Sequence, residues 1–342
     1  MSAAGIRVAG VGISVAVSGT GGFQFADQDL NLAVKDGLDR VEQLMHNELR
    51  SDLALTTEIA LHLIEAGGKR FRPLFTLLAA QFGGGERDQV VTAAAAVELI
   101  HIATLYHDDV MDEAPMRRGA ASANARWHNS VAILAGDYLF AHASRLVASL
   151  GADAVRITAE TFAELVTGQM RETVGAADGV EPVAHYLQVV AEKTGSLIAT
   201  AGRFGAMFAG AAPEYVEALS RYGKHIGVAF QISDDVIDIA SPVDESGKAP
   251  GTDLREGIRT LPMLYALEEG GPLAELLAGP IRDDGLVEEA LTLLRGSGGL
   301  DRTRAKLAEV AGAARNELGP LPAIPARDAL ESLTHFIVER SS

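Results

Sequence analysis

From Leu30 to Val338 the apolar residues of this chain recur every three or four positions, and outside an N-terminal arm no run alternates with period two. Leu30, Val34, Leu38, Val41, Met45 and Leu49 draw one buried stripe on a first helix. A turn at Gly67 and Gly68 precedes a helix with Pro73 near its first turn, which Gly83, Gly84 and Gly85 end after about Phe82. An Ala-rich helix is predicted from Asp88 to Asp112, stopped by Pro115. Others are predicted over 122–150, 153–173, 182–208 and 213–239, then a polar loop from Ser241 to Thr260 and shorter helices to Val338. No linker or composition break divides the body. The reading is one all-α domain over residues 27–342, large enough to contain a cavity, behind an irregular or short extended arm of residues 1–26.

Composition narrows the function. Lys and Arg number 29 against 46 Asp and Glu, a net charge of −17, which argues against a nucleic-acid binder. The absence of cysteine excludes disulfides, thiolate zinc sites and cysteine nucleophiles. The apolar run Val8–Val17 has ten residues, too few for a bilayer span of about 20. Arg7 alone is a thin basic flank for a secretory signal, and no later segment reads as a membrane span. A soluble, cytoplasmic protein is expected.

Two acidic clusters of DDxxD form stand inside apolar helical sequence: Asp108, Asp109 and Asp112 in HDDVMD, and Asp234, Asp235 and Asp238 in SDDVID. Asp108 and Asp112 share one helix face, as do Asp234 and Asp238, and like charges at that spacing weaken a helix. Oxygen ligands without clustered His suit Mg²⁺, which binds through carboxylates and substrate phosphates. A solvated acidic face would be the commoner meaning of charge runs, but these clusters are embedded in apolar sequence and need a counter-ion.

Cations stand where phosphates would need them. Lys69, Arg70 and Arg72 follow Gly67 and Gly68 at a helix start; Arg117 and Arg118 lie beyond Pro115; Lys193 and Thr194 interrupt an apolar helix. Lys248, Asp253 and Arg259 sit in the glycine-rich loop after the second cluster. Together with two metal sites they describe a pocket for two pyrophosphates.

The segments GGKRFRP, HDDVMD with RRG, KTG, and QISDDVID with GKAPGTDL resemble, in order and spacing, the trans-polyprenyl diphosphate synthases, between Gly67 and Pro262. Class I terpene cyclases share the first motif but not this combination. The resemblance implies a single large helical bundle of isoprenoid synthase type around a deep central cavity. It implies that an allylic diphosphate and isopentenyl diphosphate are the substrates. Asp108, Asp109, Asp112, Asp234, Asp235 and Asp238 would hold Mg²⁺, three ions per site, on the allylic diphosphate. Arg117, Lys193, Thr194, Gln231 and Lys248 would contact that diphosphate, and Lys69, Arg72, His101, Arg118 and the Gly68 backbone the isopentenyl diphosphate. Asp108, Asp112, Asp234, Lys193 and Arg117 carry the catalytic assignment. His107 reads as structural. One departure is Ile258, where the family commonly has a lysine; Arg259 is its neighbour.

Ionisation of the allylic C–O bond would give a cation that the isopentenyl double bond attacks, with proton loss to the pyrophosphate. In the family, bulky residues four and five positions before the first aspartate act as a floor beneath the growing chain. Here Thr104 and Ala103 are small, and Ile100 continues the apolar face. At one isoprene unit per 5.4 Å turn, a long product of roughly seven to ten units is expected, a quinone side-chain precursor such as menaquinone uses. Geranylgeranyl diphosphate is the shorter alternative, and a non-catalytic subunit of a heteromeric synthase another. A homodimer with at most peripheral membrane contact is implied.

Overall fold

The computed structural model describes residues 16–17, 23–85, 87–240, 251–277 and 279–341. In chain order the helices are α1 (Gln28–Glu48), α2 (Ala54–Glu65), α3 (Phe71–Ala80), α4 (Asp88–Met111), α5 (Ala123–Trp127), α6 (Asn129–Ser149), α7 (Ala152–Val174) and α8 (Pro182–Val190). A π-helical turn (Ala191–Gly195) leads into α9 (Ser196–Ala209) and α10 (Pro213–Ala240). Then come α11 (Thr252–Glu256), α12 (Leu261–Glu269), α13 (Pro272–Leu276), α14 (Asp284–Gly296), α15 (Gly299–Glu317) and α16 (Pro325–Glu339). The fold is all-α, as the periodicity predicts. Its described strands are two-residue pairs: β1 (Ala16–Val17) with β2 (Phe23–Gln24), and β3 (Met116–Arg117) with β4 (Ala120–Ala121). Of the arm, residues 1–15 and 18–22 lie outside the described residues.

Two compact units emerge: Met1–Phe162 with Leu197–Ser220 and Pro320–Ser332, and Ala163–Ser196 with Arg221–Gly319 and Leu333–Ser342. In the first, α4 packs against α6, α3 and α1 and is apolar on nearly every side, from Val90 through the alanines 93–96 to Ile102 and Tyr106. Small residues let its neighbours come close: a Cβ on Gly136 of α6 would meet the His107 ring at 2.3 Å. Likewise α9 lies against α3 so closely that a Cβ on Gly205 would stand 2.1 Å from the Thr76 carbonyl oxygen. In the second unit Val236, Ile239, Leu254, Met263, Leu291, Leu294 and Leu300 share one core.

The structure differs from the sequence reading at five points. The helix expected over 122–150 breaks at His128, whose φ of 75° ends α5 while its carbonyl oxygen accepts the first N–H bonds of α6. The helix expected over 182–208 contains the π turn around Lys193. Helix α2 was not foreseen, and a short helix, α11, occupies part of the expected polar loop. Finally, α4 and α6 are each long and apolar enough to cross a membrane by length and composition, contrary to expectation; in α4, 72% of the most apolar stretch is buried within the protein.

Candidate active site

The first aspartate motif ends α4. Asp109 is fully buried and accepts from Arg117 Nε at 2.6 Å, while its Oδ2 is buried without a partner. Burial lifts its carboxyl above the ordinary range, and the Arg117 guanidinium opposes that. Asp108 is half-buried and Asp112 exposed. The β3–β4 turn, with Arg118 at φ 53°, brings Arg117 back to the helix end it has just left.

Three guanidinium groups collect beside the α2–α3 turn. Arg70, in left-handed backbone at the head of α3, is spent on structure: it pairs with Glu42 and Glu98 and bonds the Ile64 carbonyl oxygen at 2.8 Å. Arg118 Nη1 donates to the carbonyl oxygens of Leu63 (2.7 Å) and Gly67. Gly68 has φ 143°, which accounts for glycine there, and the Arg118 guanidinium lies against it, 2.9 Å from where a Cβ would stand. Arg72 is pushed down to about 10 by burial, with Glu98 opposing and Arg118 reinforcing, and its Nε is buried without a partner. His101, one turn along α4 from Glu98, is held well below its usual value by burial and then by Arg72, Arg118, Arg70 and Arg117, so it is neutral. Lys69 and Gly68 are exposed. His107 bonds the Ile133 carbonyl oxygen at 3.1 Å and packs on Gly136, the structural role expected of it.

The second motif lies near the end of α10. Asp235 is buried and accepts from the Tyr186 hydroxyl, Gln231 Nε2 (3.1 Å) and the Leu261 N–H (3.4 Å). Burial pushes it up to about 7 against those three hydrogen bonds. Asp238 accepts from the N–H groups of Thr252 (3.2 Å) and Asp253 (3.3 Å), fastening the start of α11. Asp234 pairs with Arg340 at 2.8 Å. The π turn presents Lys193 to Glu172 at 2.5 Å and leaves Thr194 half-buried. Gly168 allows that turn, since a Cβ there would meet the Lys193 nitrogen at 2.6 Å. Gln231 therefore holds Asp235. Lys248 lies outside the described residues. Ile258 and Arg259 are both exposed.

Ala103 and Ile100 are buried, and the Thr104 hydroxyl donates to the His101 carbonyl oxygen at 2.7 Å. Sequence reasoning missed Glu98, Tyr186, Glu172 and Arg340. Glu98 alone left a signal, an acid within an Ala-rich helix. Among the described residues no three His, Asp or Glu side chains converge as a ready metal site. The donors still fit a hard divalent cation: all are carboxylates, and the buried Asp109 Oδ2 has no hydrogen-bond partner within the chain.

The polyprenyl synthetase family matches residues 54–294. A nonaprenyl diphosphate synthase of Mycobacterium tuberculosis is 60% identical over 93% of this chain and 97% of its own. A dimethylallyltranstransferase of the same organism is 48% identical over 90% and 95%. The solved structure of a Corynebacterium glutamicum geranylgeranyl pyrophosphate synthase, complexed with calcium and isoprenyl diphosphate, is 51% identical, with a TM-score of 0.84 over 93% of this chain and 99% of that one.

Proposed function

The chain belongs to the polyprenyl synthetase family and is a prenyltransferase, and on that premise we propose that it condenses an allylic diphosphate with successive isopentenyl diphosphates into a long-chain all-trans polyprenyl diphosphate, a quinone side-chain precursor. The observation that carries the long product is the pair of small residues, Ala103 and Thr104, before the first motif; the 60% identity to a nonaprenyl diphosphate synthase supports it. A second reading, geranylgeranyl diphosphate synthesis, is favoured by the 51% identity to the Corynebacterium enzyme.

Both aspartate motifs hold magnesium, three ions per site, through Asp108, Asp109 and Asp112 and through Asp234, Asp235 and Asp238. The bound metal supplies positive charge against the departing diphosphate. Arg117, Lys193, Thr194, Gln231 and Lys248 bind the same diphosphate and stabilise its charge as the C–O bond lengthens. Lys69, Arg72, Arg118 and the Gly68 backbone fix the isopentenyl diphosphate, whose double bond then needs no bimolecular encounter. Neutral His101 adds a hydrogen bond without a charge to desolvate. Arg72, with a buried donor still unpaired, has most to gain from an anion.

Residues 27–342 act as one prenyltransferase domain, since α7, α10 and α16 run unbroken through the boundaries of the two units. The enzyme works as a cytoplasmic homodimer, touching membrane only peripherally to release product. All six aspartates are present, which favours a catalytic chain over a silent subunit. The test is product analysis by chain length, using the purified chain with Mg²⁺, farnesyl diphosphate and labelled isopentenyl diphosphate. The expected product has roughly seven to ten units, and Ala103→Phe shortens it by at least one unit per blocked turn. A wild-type product stopping at four units selects the geranylgeranyl reading, and an unchanged length in Ala103→Phe refutes the floor.

A further inference from the structure

Arg340 directly follows α16, and its guanidinium is seated on one turn of α10. Nη2 lies 2.8 Å from Asp234 Oδ1 and donates to the Phe230 carbonyl oxygen at 3.0 Å, and the group rests over the Phe230 ring at 4.2 Å. The Arg340 side chain is 9% exposed, whereas Asp234 is 44% exposed. Three contacts thus hold a largely dehydrated cation against a carboxylate that water still reaches. Arg340 Nε is buried and has no partner.

A fixed positive charge beside a carboxylate changes what that carboxylate can bind. A bare divalent cation approaching Asp234 meets the repulsion of the guanidinium, poorly screened because Arg340 is buried. To use both carboxylate oxygens it must also share Oδ1, already committed to a charge-assisted hydrogen bond. A diphosphate arriving with the metal reverses both effects, since its negative charge compensates cation and guanidinium together. We infer that Arg340 is a positioning residue that keeps Asp234 from capturing a bare divalent cation and makes metal binding at the second motif conditional on diphosphate. This rests on the reading that Asp234 holds metal.

The experiment measures Mn²⁺ binding by electron paramagnetic resonance, without turnover, in a chain carrying Asp108→Asn to weaken the first motif. Titrations run with and without inorganic pyrophosphate. Arg340→Gln keeps a donor for the Phe230 carbonyl but removes the charge; it should bind Mn²⁺ alone at least about fivefold more tightly, and pyrophosphate should enhance binding by correspondingly less. Arg340→Lys, which keeps the charge, should stay close to the parent. Unchanged or weaker Mn²⁺ binding in Arg340→Gln overturns the inference, as does Arg340→Lys behaving like the glutamine variant. Arg340→Met provides a second neutral variant, judged by the same criteria, if the glutamine variant loses its helical circular dichroism. Asp234→Asn separates the two levels: if it leaves Mn²⁺ binding intact, the metal reading itself fails, and if it abolishes binding, only the role of Arg340 is at stake in the other arms.

Discussion

His101 shows how much one residue's surroundings decide. Burial and four neighbouring guanidinium groups hold its pKa well below the ordinary 6.5. The unfolded chain therefore takes up a proton near 6.5 that the folded protein refuses, and stability must fall as pH drops from there toward the folded value. We predict that His101→Asn flattens this part of the profile, reducing the slope by at most about 1.4 kcal/mol per pH unit. Urea unfolding between about pH 5 and 7 measures it; a variant as steep as the wild type would contradict the assignment. At this scale the chemistry-bearing residues were legible because they cluster in sequence, as HDDVMD and GGKRFRP do. Their partners were not: Arg340 is 106 positions from Asp234, Tyr186 is 49 from Asp235, and Arg70 is 28 from Glu98. Only the folded chain brings such pairs together, and nothing in a local pattern announces them.

Among the elements, close helix contacts set the geometry of the site. The α3–α9 approach depends on Gly205, because a methyl group there would collide with the Thr76 carbonyl, which the helix cannot move aside. Gly205→Ala should destabilise the protein by about 1–3 kcal/mol through overpacking. On α15, Gly312 has nothing within 4 Å of the position a Cβ would take, so Gly312→Ala should be neutral or stabilising by up to about 1 kcal/mol. Denaturant midpoints decide, and equal effects at the two sites would refute the packing argument. Helices α1, α4, α7 and α10 were legible because each carries a long apolar period bounded by proline, glycine or a capping side chain, such as Asp27, which accepts from the Leu30 N–H at 2.8 Å. The break at His128 was not, since no proline or glycine marks its positive-φ backbone. Nor was the π turn at Lys193, which no proline or glycine signal before it marks.

For the whole molecule, the proposed function requires both sets of aspartates, 126 positions apart in sequence, for ionisation of the allylic substrate. Each set already has its own cation in the folded chain, Arg117 for Asp109 and Arg340 for Asp234. Consumption of isopentenyl diphosphate separates this enzyme from a cyclase, which would release pyrophosphate without it. The direct measurement is the rate at which labelled isopentenyl diphosphate enters prenyl product in the wild type, Asp108→Asn and Asp234→Asn at saturating Mg²⁺. Each variant should lose at least about 100-fold while released pyrophosphate and incorporated isopentenyl units stay equal in number. Full turnover in either variant, or pyrophosphate release without incorporation in the wild type, would contradict the proposed function.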